Sequence, residues 1–110
     1  MAYSEDLVER VRDALDGRAG LTERKMFGGV GLMLRGNMAV GVRGDDLIVR
    51  LSNSDAERAL AENGVRAFDL SGRPMRGWVL VGPKATSSER DLARWVNTGA
   101  DYAASLPAKT

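Results

Sequence analysis

The chain has 110 residues, 44% of them apolar and 28% charged, which fits one globular domain with a real core and argues against disorder. Sixteen basic residues against fifteen acidic ones give a net charge of +1, too little for a long-range field that gathers nucleic acid or anionic membrane. Cysteine and histidine are both absent, which removes disulfides, thiol nucleophiles, the commonest general base and the commonest metal ligand.

The amino terminus, Met1 to Asp6, lacks the basic-then-apolar pattern of a secretion signal, and no apolar run approaches the roughly 20 residues that span a bilayer. The expectation is a cytoplasmic protein. Ser4 caps a first helix, with Glu5 and Asp6 at the positive end of its dipole and Tyr3 positioned to staple onto Val8. Leu7, Val8, Val11, Ala14 and Leu15 form its apolar stripe, and Gly17 and Gly20 stop it.

From Glu23 to Leu51 the period becomes alternating. Val30, Leu32 and Leu34 share one side of a strand, and Gly36-Asn37 offers a two-residue turn because both residues tolerate positive φ. Met38, Val40 and Val42 continue that side, Gly44-Asp45-Asp46 turns the chain again, and Leu47, Val49 and Leu51 form a third row. The result is an antiparallel meander. Its opposite face carries Gly31, Met33, Arg35, Ala39, Gly41, Arg43, Ile48 and Arg50, with small residues mid-strand. Either a partner or a returning loop lies against those small residues, or the face is shallow and wet.

Ser54 and Glu57 read as a capping box for a short helix with Ala56, Ala59 and Leu60 inward and Gly64 at its end. Ala67–Leu70 and Trp78–Val81 read as strands around a Ser71-Gly72-Arg73-Pro74 turn, with Gly82-Pro83 closing the second. Lys84 to Ser88 form a polar loop. The last helix runs from Ser88 to Ser105, its buried stripe traced by Leu92, Trp95, Val96, Gly99, Ala103 and Leu106. No linker or repeat divides residues 1–110, so a single domain is expected. The fold class is α+β in two layers: one antiparallel sheet of about five to six strands with three helices, in the order α-β-β-β(-β)-α-β-β-α.

Catalytic patterns are lacking. A serine nucleophile would need a lysine base that no motif positions. The paired carboxylates Asp45-Asp46 sit in a hairpin turn, where such side chains serve local backbone groups. Gly28-Gly29-Val30-Gly31 resembles a phosphate loop, but a strand follows where the loop needs a helix. No catalytic residue, metal site or cofactor is assigned. The basic residues Arg24, Lys25, Arg35, Arg43, Arg50, Arg73 and Arg76 fall in the strand-and-loop half, without the interleaved aromatics of a single-strand platform. Direct nucleic-acid binding is therefore expected to be weak.

Three segments in combination carry a family resemblance: Thr22-Glu23-Arg24-Lys25-Met26-Phe27-Gly28-Gly29, the strand Gly36-Asn37-Met38-Ala39, and Gly72-Arg73-Pro74-Met75-Arg76-Gly77-Trp78. With them the chain resembles the amino-terminal domain of the TfoX/Sxy family over about Tyr3 to Leu106. The resemblance implies a two-layer α+β fold and a non-enzymatic regulatory or interaction module, associated with bacterial natural competence and often dimeric. It supplies no catalytic residues. The chain ends without the carboxy-terminal helical domain of the competence regulators, so a stand-alone domain is expected. The expected partner is a protein, either a regulator or a second copy in a homodimer. The expected contact residues are Lys25, Met26, Phe27, Gly28, Gly29, Met33, Gly41, Ile48, Arg73 and Met75, with Ala39 on the same face.

Overall fold

In the computed structural model, which describes residues 3–26, 28–70 and 72–108, helix α1 spans Glu5–Ala14. The Ser4 hydroxyl accepts from the Leu7 amide, so the cap read from the sequence forms. Six strands follow in one antiparallel sheet: β1 (Leu21–Met26), β2 (Gly29–Leu34), β3 (Asn37–Arg43), β4 (Asp46–Arg50), β5 (Val65–Leu70) and β6 (Arg73–Val81). Their spatial order is β1-β2-β3-β4-β6-β5, leaving β1 and β5 as edges. Helix α2 (Asn53–Ala59) connects β4 to β5, a 3-10 turn occupies Pro83–Ala85, and helix α3 spans Glu89–Ser105. The two-layer α+β architecture matches the expectation.

The core lies between the helices and one face of the sheet. Val30, Leu32, Val40, Val42, Leu47, Val49, Val79 and Val81 meet Val8, Val11 and Leu15 of α1, Ala56 and Ala59 of α2, and Leu92, Trp95 and Val96 of α3. Each such aliphatic side chain contributes roughly 1.5–3 kcal/mol on burial, which is where the stability of the domain resides. Helix α3 lies against β3 and β4 at very close range, because Gly99 has no side chain. A Cβ there would stand 2.6 Å from the Ala39 carbonyl oxygen. Arg10 clamps α1 to the start of α3 through Glu89 at 2.7 Å and the Thr86 carbonyl at 2.8 Å.

Four local readings are corrected. The first hairpin turns on Arg35-Gly36, with φ of 52° and 84°, and not on Gly36-Asn37. Asn37 instead opens β3, buried, donating its Nδ2 to the Pro107 carbonyl at 2.8 Å. The second correction concerns strand faces. The register pairs Leu32 with Val40 but Met33 with Met38, so Ala39 is an extra residue in a β-bulge. Met38 therefore leaves the Val40 side and joins Met33, while Ala39 packs in the helix-side core.

The third correction moves the start of α2. Ser52, not Ser54, is the cap, its hydroxyl accepting from the Asp55 amide at 3.2 Å. The fourth concerns the end of that helix: Leu60, expected inward with Ala56 and Ala59, is the C-cap beyond Ala59 and is 43% exposed. Both strands of the last hairpin run longer than expected, and Ser71 of its turn lies outside the described residues.

Candidate interaction surface

No helix lies on the other face of the sheet among the described residues. It carries a second apolar cluster of its own, Met33, Met38, Ile48 and Phe68, all buried, with Met26, Met75, Trp78 and Leu80 packed around them and partly exposed. The glycines of this face are filled by methionine. A Cβ on Gly31 would stand 2.6 Å from Met26 Sδ, and one on Gly41 would stand 2.4 Å from Met38 Cε. Flexible thioether side chains suit such irregular gaps. Against the small residues themselves lie the chain's own methionines, Met26 over Gly31 and Met38 over Gly41.

This arrangement sorts the expected contact residues. Met26 and Met75 form part of the outer, partly exposed layer. Met33, Gly41 and Ile48 lie beneath it, with Ile48 at 0% exposure. Lys25 is exposed but pairs with Val30, which places it on the helix side of edge strand β1. Gly28 is exposed at φ 73°, whereas Gly29 is buried, and Phe27 lies outside the described residues. Arg73 contributes its backbone to β6, opposite Leu70.

Cations rim the apolar cluster. Alternation along the strands puts Arg24, Arg43, Arg50 and Arg66 on the helix-free face, beside Gly31, Gly41, Ile48 and Leu80. Arg66 is bonded to Asp46 at 2.8 Å. Arg50 stands 5.3 Å from the centre of the Trp78 ring and 5.8 Å from that of Tyr102, within cation–π range of both. Arg24 and Arg43 are exposed, with no ion pair among the described residues.

Apart from that face, the run Met75-Arg76-Gly77-Trp78 builds a concavity where β6 meets helix α2. The register runs from Ala67–Val79 to Asp69–Pro74, so the run Met75 to Trp78 of β6 has no β5 partner opposite Phe68, although Trp78 pairs with Arg50 of β4. Gly77 bends that run at φ 83°, and its carbonyl accepts from the Leu51 amide at 2.7 Å. A concavity of about 120 Å³ results between α2 and β6, walled by Leu60, Ala67, Met75 and Trp78, with Glu57 and Arg76 at its mouth. Phe68 supports the Trp78 ring, the centroids 6.2 Å apart and tilted by 50°. Sequence reasoning placed Met75 beside Trp78 but missed Leu60. The apolar spacing that buries Ala56 and Ala59 extends to Leu60, whereas the helix ends at Ala59 and leaves Leu60 as its exposed C-cap.

The chemistry available elsewhere is structural. The Asp45-Asp46 turn uses Asp46 to hold Arg66. On the helix side Arg12 donates to both oxygens of Glu23, at 2.5 and 2.8 Å, linking α1 to β1. That bidentate contact holds the Glu23 carboxyl below its usual range and raises the Arg12 guanidinium. Among the described residues no three of His, Cys, Asp and Glu gather into a metal-holding group. None of the described helices is long and apolar enough to cross a membrane.

A six-stranded antiparallel sheet roofed by three helices, with an arginine-rimmed apolar face on its far side, defines a small α+β domain built around a surface. The chain belongs to the TfoX N-terminal domain family, whose family model matches residues 13–103. Comparisons with curated proteins and with solved structures give no match.

Proposed function

We propose that this domain is a non-enzymatic regulatory module of the TfoX type, linked to transcriptional control of competence and acting in the cytoplasm through contact with another protein. The observation that carries the reading is the helix-free face, where a partly exposed apolar layer is ringed by Arg24, Arg43, Arg50 and Arg66. A wet outer sheet face normally alternates polar residues, so an apolar layer there marks a contact. The homodimer expected from the sequence fits this face poorly. An isologous contact would bring Arg24 and Arg43 of each copy into one interface, and like charges there cost affinity.

The test is a photo-reactive residue placed in the living source cell at position 24 on the sheet face, compared with position 13 on the helix side. Cross-linking to another protein from position 24 alone is expected. Cross-links from position 13 alone, or from neither, would overturn the reading. The unpaired Arg24 and Arg43 favour a second reading, direct contact with nucleic-acid phosphates. Each phosphate neutralised would steepen the salt dependence of duplex binding by about 0.9 in log–log slope.

A further inference from the structure

The net charge of +1 conceals a division between the two layers. Residues 21–50 and 65–81, the strands and their hairpin turns, hold eight basic against four acidic side chains. The rest of the chain holds eight basic against eleven acidic. The sheet layer is thus positive and the helix layer negative. Any partner that settles on the sheet face meets cations around an apolar floor.

Where this sheet meets α2, at the junction of the two layers, one place is shaped to take a side chain. The concavity between α2 and β6, about 120 Å³, approaches the ~150 Å³ that admits a benzene ring. Leu60, at 43%, is the most exposed large apolar side chain among the described residues, and it forms one wall. Trp78 forms another, held from behind by Phe68 and capped by Arg50. Gly77 keeps the floor low, since a Cβ there would stand 2.9 Å from the Leu51 carbonyl oxygen and 3.2 Å from Asn53 Oδ1.

The mouth is ready to exchange partners. Arg76 and Glu57 are 76% and 73% exposed and 3.9 Å apart, a loose pair worth little in water. An incoming carboxylate competes with Glu57 for Arg76, and Arg50 stands over the neighbouring ring. With Arg76 at the mouth and Arg50 over Trp78, two guanidinium groups stand against the single carboxylate of Glu57. Apolar walls with this surplus of positive charge select an apolar anchor flanked by acidic side chains. Phosphate-rich nucleic acid would satisfy the cations but leave Leu60 and Met75 facing water.

Resting on the protein-contact reading above, we propose that this concavity docks an acidic amphipathic segment of a partner protein, with one apolar side chain seated between Leu60, Met75 and Trp78 and an adjacent carboxylate on Arg76. Leu60→Glu and Arg76→Glu act at exposed positions, and thermal unfolding within a few degrees of wild type confirms that each variant folds. Arg76→Gln serves as a gentler second probe.

Selection of displayed random peptides of about 12 residues on the immobilised full chain tests the proposal. Enriched sequences should combine Leu, Ile, Met or Phe with neighbouring Asp or Glu. Their affinity should fall about tenfold in Leu60→Glu and in Arg76→Glu, and should weaken as salt rises. Enrichment without an acidic bias, enrichment unaffected by both variants, or no enrichment over the variants would overturn it. A short DNA duplex that binds with the same variant sensitivity would overturn it in favour of nucleic acid. A doubled solution mass abolished by Leu60→Glu would do so in favour of a second copy. Cross-linking from position 24 that persists in Leu60→Glu, alongside a failed selection, would leave the broader reading standing and remove this one.

Discussion

The adjacent glycines of the Lys25–Gly29 motif serve different physical purposes, and replacing each by alanine separates them. Gly28 occupies the left-handed region at φ 73° with nothing within 4 Å of a would-be Cβ. Alanine there pays about 1–2 kcal/mol for the backbone conformation, partly offset by ~0.4–1 kcal/mol from a less flexible unfolded chain. The net loss is about 1 kcal/mol, and Gly28→Asn should recover part of it, because asparagine visits that region more readily.

Gly29 is a matter of space. Its Cβ would stand 2.0 Å from the Val42 carbonyl oxygen and 3.2 Å from the Arg43 Cα, all backbone of the neighbouring strand. Ordinary contact begins near 3.4 Å, so β2 and β3 must part at this end by more than an ångström. Overpacking of about 1–3 kcal/mol, plus about 1 kcal/mol for a weakened ladder hydrogen bond, puts Gly29→Ala at about 2–4 kcal/mol. That is a large share of the 5–15 kcal/mol typical of a domain this size. Urea unfolding followed by far-ultraviolet circular dichroism checks both values. At about 4–6 °C per kcal/mol, Tm should fall by about 5 °C for Gly28→Ala and by about 10–20 °C for Gly29→Ala. Equal losses, or a milder loss for Gly29→Ala, would refute the assignment of space to one glycine and conformation to the other.

Gly99→Ala should destabilise the domain by about 1–2 kcal/mol in urea unfolding, although helix propensity alone favours alanine by about 1 kcal/mol, because its Cβ would press on the Ala39 carbonyl oxygen at 2.6 Å. A rise in stability would show that α3 lifts freely from the sheet. Asn37→Ala should cost about 1–3 kcal/mol, since the buried side chain holds the Pro107 carbonyl. Hydrogen exchange at the end of α3 should accelerate with it. The Arg12–Glu23 pair gives a pH dependence with a fixed sign. The folded-state value of Glu23 lies below its unfolded one, so the pair's contribution is present above about pH 4.3, the unfolded value, and is lost as pH falls through the lower folded value. Glu23→Gln should flatten urea midpoints measured between pH 5 and 2, and an unchanged acid limb would count against the contact.

The elements that are periodic and locally capped were legible. Ser4 caps where the sequence puts it, α3 starts within a residue of the expected Ser88, and the stripe from Leu92 to Ala103 is the buried stripe of α3. What failed was decided over long distances. Ser52 and Ser54 each have an acidic residue three positions on, so the cap pattern fits both. The Leu51 amide, fixed to the Gly77 carbonyl at 2.7 Å, settles where β4 ends and hence where α2 begins. Gly36-Asn37 is the better local turn, yet Asn37 is claimed by Pro107, seventy residues away in sequence. The bulge at Ala39 leaves no mark in a run where Met38, Ala39 and Val40 are all apolar. Of the expected contact residues, the structure brings Met26 and Met75 into the outer layer and sets Met33, Gly41 and Ile48 under it.

The buried position of Gly41 also decides how the contact should be probed. A charged residue at Gly41 would displace Met38 from 2.4 Å and press on the Val30 carbonyl oxygen at 3.1 Å, so lost binding there would report damage to the second apolar cluster. Leu60 and Arg76 offer cleaner positions, because both reach solvent while lining one concavity. Their two effects also differ in kind. A contact dominated by Leu60 should be nearly insensitive to salt, whereas one dominated by Arg76 should weaken steadily with ionic strength. For the proposed acidic segment both should appear, with the salt dependence reduced in Arg76→Gln and kept in Leu60→Glu. If Arg76→Gln leaves the salt dependence unchanged, the carboxylates meet other cations, and the segment lies across the Arg24 and Arg43 side of the sheet instead.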